Sequence, residues 1–302
     1  MERTLRRVKR TSFLLTTLAA TALLGASPAS AQGAKLRFIA FGAHPDDCEE
    51  EFGGTAAKLA KAGHRVKFVS VTNGDAGHQA MAGAALAKRR FLEAQECARR
   101  LGIAEYQVLD NHDGELMPTL DVRRQVIRAI REWKADVVLA PRPNDYHPDH
   151  RYTGVLVQDA AYMVVVPNVV SDTAPLEHNP VFVYYQDGFT KPAPFRPDVV
   201  VPIDDVWDRK INALDAHISQ FYEWLPWVDH TLDQVPADPK ARREWLSQRI
   251  SRWAVPSEAS RKTLVEELGD AGANVKHAES FELCEYGRKP PLSELRAMFP
   301  VR

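Results

Sequence analysis

Cysteine is scarce in this chain: Cys48, Cys97 and Cys284 are the only three among 302 residues. An odd and widely spaced set excludes a disulfide-rich scaffold. Cys97 falls in a helical pattern and is interpreted as a core residue. Cys48 directly follows Asp47 at a predicted helix start, where consecutive side chains point in different directions. We therefore expect Cys48 not to share a metal site with Asp47.

A net charge of one sign is also missing, since 39 Lys and Arg residues face 40 Asp and Glu residues. This balance gives no sequence-wide attraction to nucleic acid or to an anionic membrane surface. The sequence shows no internal repeat and no low-complexity segment, and its 45% hydrophobic content is typical of globular proteins. We expect a globular protein without a nucleic-acid partner.

One long apolar run, TSFLLTTLAATALLG, lies near the start of the chain. Basic MERTLRRVKR precedes it and ASPASA follows it, an order that predicts a secretory signal peptide over residues 1–31 and a mature protein of residues 32–302. The run is shorter than the ~20 residues of a membrane span, so no stable span is expected after cleavage. The sequence therefore predicts a periplasmic or secreted protein. Sec-type export is favoured, and Arg6-Arg7 leaves the twin-arginine route open.

Short apolar strands alternate with amphipathic helices through the first half of the chain. The predicted strands are LRFIAF (36–41), RVKFVSVT (65–72), YQVLD (106–110) and DVVLA (136–140), and the predicted helices are 50–62, 84–101, 120–133 and one from about residue 153. This alternation predicts a mostly parallel sheet covered on both faces, a Rossmann-like three-layer α/β fold.

The pattern changes after Pro167. Predicted there are strands at 181–185 and 198–203, a helix at 204–224, a lid or irregular helical insert at 226–256 and a late edge strand at 280–286. Because no clear linker interrupts the chain, residues 32–302 are expected to form one domain with an elaborated C-terminal part.

Two polar clusters directly follow predicted strands. His44-Pro45-Asp46-Asp47 comes after the first strand, and PRPNDYHPDH, at residues 141–150, comes after the fourth. Parallel strands place their carboxyl ends at one edge of a sheet, where ligand sites form. The two clusters are therefore expected to meet.

Imidazole nitrogens together with a carboxylate suit zinc, and a catalytic zinc site uses three protein ligands. His44, Asp47 and His150 can supply these ligands, which leaves Asp46 and His147 for acid–base chemistry. In the alternative interpretation, both turns are helix N-caps whose side chains accept backbone N–H groups. Two such turns in one sheet disfavour this alternative.

At AHPDD (43–47) and HPDH (147–150) the sequence resembles the PIG-L, or LmbE-like, de-N-acetylase family. The resemblance extends to GG at 53–54, TNGDAG at 72–77, RFLEAQECARRLG at 90–102 and AHISQ at 216–220, and weakly to AESF at 278–281. It implies a zinc-dependent hydrolase that removes acetyl groups from N-acetylated amino sugars. The matching positions imply His44, Asp47 and His150 as zinc ligands, Asp46 as general base, and His147 as the residue that stabilises the oxyanion or protonates the amine.

The resemblance also implies roles for residues around these five. Arg90 and Asp113 match positions of substrate contacts. Asp149 is expected to orient a histidine, to cap a helix or to lie at the surface, and Asp145 to orient His147. Roles for Tyr146, His78, His112 and His217 stay open. The tryptophans at 224, 227, 245 and 253 either stack on sugar faces or anchor the core.

The expected substrate is an N-acetylglucosamine-type glycan or glycoconjugate, since the signal peptide favours an extracytoplasmic N-acetyl sugar. Two alternatives are a zinc amidase for a different amide and a non-catalytic glycan-binding protein with the same fold.

Overall fold

A computed structural model describes residues 35–301 of the chain. The predicted signal peptide at residues 1–31 lies outside this range and remains a prediction. Within residues 35–301, no helix combines the length and the apolar character that crossing a membrane requires.

In the described residues, seven strands form one sheet. They are β1 (Arg37–Gly42), β2 (Arg65–Ser70), β3 (Glu105–Val108), β4 (Val137–Ala140), β5 (Val181–Tyr185), β6 (Val199–Pro202) and β7 (Ala278–Gly287). The spatial order is β3-β2-β1-β4-β5-β7-β6, with β1 to β5 parallel and β7 antiparallel to both of its neighbours. The predicted α/β fold with a mostly parallel sheet is confirmed.

Helices cover both faces of this sheet. They are α1 (Asp47–Lys61), α2 (Gly83–Leu101), α3 (Leu120–Trp133), α4 (Pro148–Met163), α5 (Trp207–Leu214), α6 (Leu225–Val228), α7 (Pro239–Ala254), α8 (Glu258–Leu268), α9 (Asp270–Ala273) and α10 (Leu292–Ala297). Phe38 and Ala40 of β1 pack with α1, α2 and α5, whereas Ile39 and Phe41 pack with α3 and α4. The two-residue period of the strand explains this division into two cores.

The helices α1 and α4 begin earlier than the sequence pattern predicts. Helix α4 starts at Pro148. Proline has no backbone N–H group, but the N–H of the first helical residue has no partner within the helix, so proline is well tolerated there. Helix α1 starts at Asp47, where a carboxylate interacts favourably with the positive end of the helix dipole. Both polar clusters are consequently helix N-termini, which fixes the directions of their side chains.

The predicted helix over 204–224 is broken. A 3-10 turn (Asp204–Val206) leads into α5, and a π-helical segment (Ser219–Trp224) follows. Between them, the Asp215 carboxylate accepts hydrogen bonds from Arg100 and Tyr222. Such side-chain contacts are invisible in the helical pattern of the sequence. The predicted irregular insert at 226–256 contains the regular helix α7.

Strand β7 lies between β5 and β6, so the prediction of a late edge strand is wrong. Glu279 of this strand is buried against Lys210 of α5, with Nζ 2.7 Å from Oε1. The same carboxylate accepts the N–H groups of Gly54 and Thr55 in the interior of α1, at 2.8 and 2.7 Å. Lys210 Nζ also donates to the Glu50 carbonyl of that helix, at 2.6 Å. An ion pair from two later elements is thus attached to the middle of α1.

Candidate active site

The candidate site lies where the strand order reverses direction. From β1 the chain continues outward to β2 and β3, while β4 and β5 lie on the other side of β1. Ligand sites of open α/β sheets form at this switch point, beyond the carboxyl ends of the strands. Residues 43–47 follow β1 and residues 141–150 follow β4, so the two clusters meet there as expected.

Three donor atoms face one another at this point. His44 Nδ1 lies 3.6 Å from Asp47 Oδ2, His150 Nε2 lies 3.4 Å from the same oxygen, and the two histidine nitrogens are 3.2 Å apart. We call these three atoms the donor triangle. Tetrahedral ligands bound at ~2.0–2.2 Å are separated by about 3.3–3.6 Å. The triangle therefore has the spacing and the donor types of a metal site.

A carboxylate lies behind each histidine of the donor triangle. His44 Nε2 is 3.1 Å from Asp113 Oδ1 and 3.4 Å from Asp149 Oδ2. His150 Nδ1 is 3.2 Å from Asp145 Oδ1. Metal-binding histidines commonly direct their second nitrogen to a carboxylate, which fixes the ring orientation. Both rings are thus held with one nitrogen toward the triangle.

Asp145 was expected to orient the ring of His147, and the structure shows a different partner. Its Oδ1 accepts the backbone N–H of His147 at 2.9 Å, but the imidazole that it contacts belongs to His150. The sequence spacing missed this because helix α4 begins at Pro148 and turns the side chain of His150 back over residue 145.

Charge in the cluster favours a cation. Burial lowers the pKa of His44, but the close carboxylates of Asp113, Asp149 and Asp47 outweigh it and raise the pKa well above its usual value. Burial raises the pKa of Asp47, yet His150 and His44 hold it well below its ordinary range. Burial likewise opposes ionisation of Asp113, and His44 and Arg90 lower its pKa to about 2. Asp47 and Asp113 are thus held ionised at the donor triangle.

The helix-cap alternative fails for the aspartates. In the described structure Asp46 occupies the N-cap position of α1, but its side chain makes no capping hydrogen bond. The Asp149 carboxylate is fully buried and accepts the N–H groups of Gly114 and Leu116, at 2.7 and 3.2 Å, in the loop after β3. Of the two N-cap residues, His147 is the one whose side chain makes a capping bond, since its Nδ1 accepts the Asp149 N–H at 3.2 Å.

Arg90 holds two of the acidic side chains. Its Nη2 donates to Asp46 Oδ1 at 2.9 Å, and its Nη1 lies 3.4 Å from Asp113 Oδ2. Arg90 is only 2% exposed, so it is enclosed beneath the site and contacts carboxylates where substrate contact was expected. Gly74 has φ +72° and a Cβ there would lie 2.7 Å from Arg90 Cζ, so the TNGDAG loop needs glycine at this position.

His147 lies beside the donor triangle with its ring edge-to-face against His44, at a centroid distance of 4.8 Å. Burial, His44 and His150 lower its pKa and favour the neutral imidazole. Since Nδ1 accepts a backbone N–H, the neutral ring carries its proton on Nε2. His147 is thus a hydrogen-bond donor next to the candidate metal position.

Residues 39–161 match the family described as GlcNAc-PI de-N-acetylase, PIG-L. A diacetylchitobiose deacetylase of Thermococcus kodakarensis is 34% identical over 196 residues, which cover 61% of this chain and 70% of the relative. The chain belongs to the PIG-L family. A probable N-acetyl-alpha-D-glucosaminyl L-malate deacetylase 2 of Bacillus cereus is 28% identical to this PIG-L protein, over 67% of the chain and 90% of the relative.

Solved structures share the fold. The N,N'-diacetylchitobiose deacetylase of Pyrococcus horikoshii superimposes with a TM-score of 0.63 at 26% identity, covering 82% of this chain and 83% of that one. GalB of Pseudomonas putida, a 4-carboxy-2-hydroxymuconate hydratase, shares the fold with a TM-score of 0.65 at 20% identity, covering 85% and 98%. The PIG-L protein is a hydrolase of the de-N-acetylase type, which cleaves amide C–N bonds.

Further residues of the PIG-L protein lie near the site in roles that were left open. The His217 side chain of AHISQ is fully buried and pairs with Glu49, which also accepts the Tyr106 hydroxyl at 3.0 Å. This places His217 in a polar pair within the core. Cys48 Sγ lies 3.3 Å from the Ala40 carbonyl oxygen and belongs to the apolar core, as does Cys97.

Three further candidates contact neighbouring side chains. Tyr146 is 75% exposed, and its ring packs against those of His147 and His150, at centroid distances of 5.8 and 5.6 Å. His78 contacts Glu223 at 2.8 Å, and the exposed His112 contacts Asp75 at 2.7 Å. Sequence reasoning missed the Lys210–Glu279 ion pair, for which the weak AESF match was the only signal.

Proposed function

We propose that this PIG-L protein is a zinc-dependent de-N-acetylase that acts on an N-acetylglucosamine-type glycan or glycoconjugate. The donor triangle, with Asp46 and His147 beside it, is the observation that carries the proposal. Support for the substrate class comes from the relatives named as deacetylases of diacetylchitobiose and of an N-acetylglucosaminyl malate.

His44, Asp47 and His150 would hold the ion through the atoms of the donor triangle. A bound zinc ion supplies a Lewis acid and a water molecule that loses its proton near neutral pH. The carboxylates of Asp113, Asp149 and Asp145 keep the ligand rings oriented, which raises their basicity as ligands.

Asp46 accepts the proton of the attacking water. Arg90 occupies Asp46 Oδ1, so Oδ2 is the oxygen available for this proton. Burial raises the pKa of Asp46, while the Arg90 guanidinium opposes the rise. A general base with a raised pKa is better matched to neutral pH than an ordinary aspartate. Arg90 thus positions the base and keeps it ionised.

His147 acts on the other side of the amide. Its Nε2–H donates to the carbonyl oxygen as negative charge develops there. The water oxygen bonds to the carbonyl carbon, and the C–N bond then breaks. The proton first taken by Asp46 passes to the departing nitrogen, so acetate and a free amine leave.

The test combines metal analysis with a product assay on the purified protein. We expect near-stoichiometric zinc and chelator-sensitive acetate release from N-acetylglucosamine sugars. Asp46→Asn should lower turnover by about 10²–10⁴-fold and keep the metal, because it removes the base alone. His44→Ala should lose metal and activity together. Failure to bind zinc on reconstitution would contradict the metal site, and zinc binding without acetate release would contradict the substrate class.

A further inference from the structure

Two tryptophans that follow α5 form a stacked pair. The rings of Trp224 and Trp227 lie 5.4 Å apart between centroids, with an interplanar angle of 16°. Trp224 ends the π-helical segment and Trp227 lies in the short helix α6, where it is 47% exposed. A large aromatic side chain that is open to solvent contributes little to the stability of the fold. Its position relative to the active site therefore indicates whether it can contact a ligand.

Trp224 borders the active site at Gly77. A Cβ on Gly77 would lie 3.0 Å from Arg90 Nη1, 3.1 Å from Asp113 Oδ2 and 3.7 Å from Trp224 Nε1. The indole N–H therefore lies against the same glycine as the buried Arg90–Asp113 pair. The stacked pair leads from this point of the site outward to solvent.

The π-helical segment is fixed to the loop that carries Gly77. Gln220 Nε2 donates to the Gly77 carbonyl at 3.2 Å. The Glu223 carboxylate accepts hydrogen bonds from Arg89 at 2.6 and 2.8 Å, and lies 2.8 Å from His78 Nε2. These contacts hold the tryptophans at a set distance from the active site, so any ligand on them is bound with a defined orientation.

An open cavity of about 480 Å³ continues beyond the stacked pair, lined by Trp227, His230, Leu232 and Asp233. Small-molecule sites typically have volumes of ~300–1,000 Å³. A pyranose ring has an apolar C–H face and a rim of hydroxyl groups. The indole of Trp227 offers a flat surface to the C–H face, and the side chains of His230 and Asp233 offer hydrogen bonds to the hydroxyl groups.

The other tryptophans of this region behave differently. Trp245 packs against Tyr222, with centroids 6.4 Å apart, beside a buried apolar cluster. Trp253 is 73% exposed on α7 and is not among the residues that line the cavity. The core-anchor interpretation therefore holds for Trp245, whereas the stacked pair joins the half-buried Trp224 beside the active site to the exposed Trp227.

We propose that Trp224, Trp227, His230 and Asp233 form a second sugar subsite. It takes the saccharide unit next to the N-acetylated one, so the preferred substrate is an oligosaccharide and not a single amino sugar. This inference rests on the proposed function. The segment lies outside residues 39–161, the part of the chain that matches the family.

The test compares the disaccharide of β-linked N-acetylglucosamine with the monosaccharide. The ratio of their kcat/KM values should fall about 2- to 12-fold in Trp227→Ala, since an aromatic contact contributes ~0.5–1.5 kcal/mol. Trp227→Phe keeps an aromatic face and should retain most of the ratio. Trp253→Ala, another exposed tryptophan outside the cavity, is the matched control and should leave the ratio unchanged. An unchanged ratio in Trp227→Ala, or an equal fall in Trp253→Ala, would overturn the subsite.

Calorimetry separates this inference from the proposed function. If the protein releases acetate from both sugars but Trp227→Ala leaves the ratio unchanged, the subsite is wrong and the function stands. If it releases no acetate from either sugar, disaccharide binding is measured directly. Binding that weakens in Trp227→Ala alone supports the subsite, and binding that is absent or equal in all variants overturns it.

Discussion

Replacing Arg90 with methionine is expected to destabilise the protein and to inactivate it. The substitution keeps an apolar stem of similar reach but removes the guanidinium from the Asp46 and Asp113 carboxylates, 2.9 and 3.4 Å away. Arg90 is 2% exposed and each carboxylate residue 8%, so water cannot replace the lost charge. Breaking a buried ion pair by removing one partner costs ~3–5 kcal/mol. Because whole domains are stable by ~5–15 kcal/mol, the loss should be plain in an unfolding curve.

Urea unfolding of the metal-free protein measures this loss, since bound metal would add its own stabilisation. The double variant Arg90→Met/Asp46→Asn removes one of the two unpaired charges. Its free energy of unfolding should exceed the additive value by about 0.5–3 kcal/mol. Arg124→Met, which breaks only an exposed ion pair with Asp121, should cost less than about 1 kcal/mol.

Turnover supplies the second measurement for Arg90→Met. Without its partner Asp46 loses both a fixed orientation and the charge that opposes protonation, so kcat should fall while zinc stays bound. The assigned role is refuted if Arg90→Met unfolds within about 1 kcal/mol of the wild type, or if the double variant shows strict additivity.

Three other substitutions follow from the structure. Gly54→Ala should destabilise the protein by ~1–3 kcal/mol, because its Cβ would lie 2.8–3.0 Å from Ile203. Gly188→Ala, facing open space within the described residues, should be neutral, and equal urea midpoints for the two variants would contradict this. Asp145→Asn should weaken zinc binding about 10–100-fold in a chelator competition, since it alters the carboxylate behind a ligand ring; unchanged affinity would exclude this role. Lys210→Met should cost ~3–5 kcal/mol in the free energy of unfolding, as it leaves its carboxylate partner buried without a counter-charge; a loss below about 1 kcal/mol would argue against it.

The elements that position the site could be predicted from local patterns. Helix α3 covers Leu120–Trp133 as expected, because its apolar residues follow the helical period along one face. The meeting of the two polar clusters could be predicted because each directly follows a strand, and the two strands are neighbours at the switch point. Backbone topology alone brings His44 and His150 together, whatever the side chains around them do.

The partners of individual side chains could not be predicted in the same way. The reach of Arg90 to Asp46 depends on how closely α2 packs on the TNGDAG loop, which no pattern within either segment records. Near the break after α5, a fully buried His217–Glu49 pair and the hydrogen bonds of Asp215 join segments that are distant in sequence. Long-range polar contacts of this kind decide the environment of the site, and sequence periodicity reports only on contacts within one element.

The ion pair attached to the middle of α1 makes the first motif depend on the end of the chain. Asp47 lies at the start of α1, and that helix is tied through Gly54 and Thr55 to Glu279 of β7 and through Glu50 to Lys210 of α5. The region that matches the family is therefore not a transplantable module. In chimaeras between relatives, α1, α5 and β7 have to be inherited from the same parent, and a crossover that separates them should disturb metal binding from more than two hundred residues away in sequence.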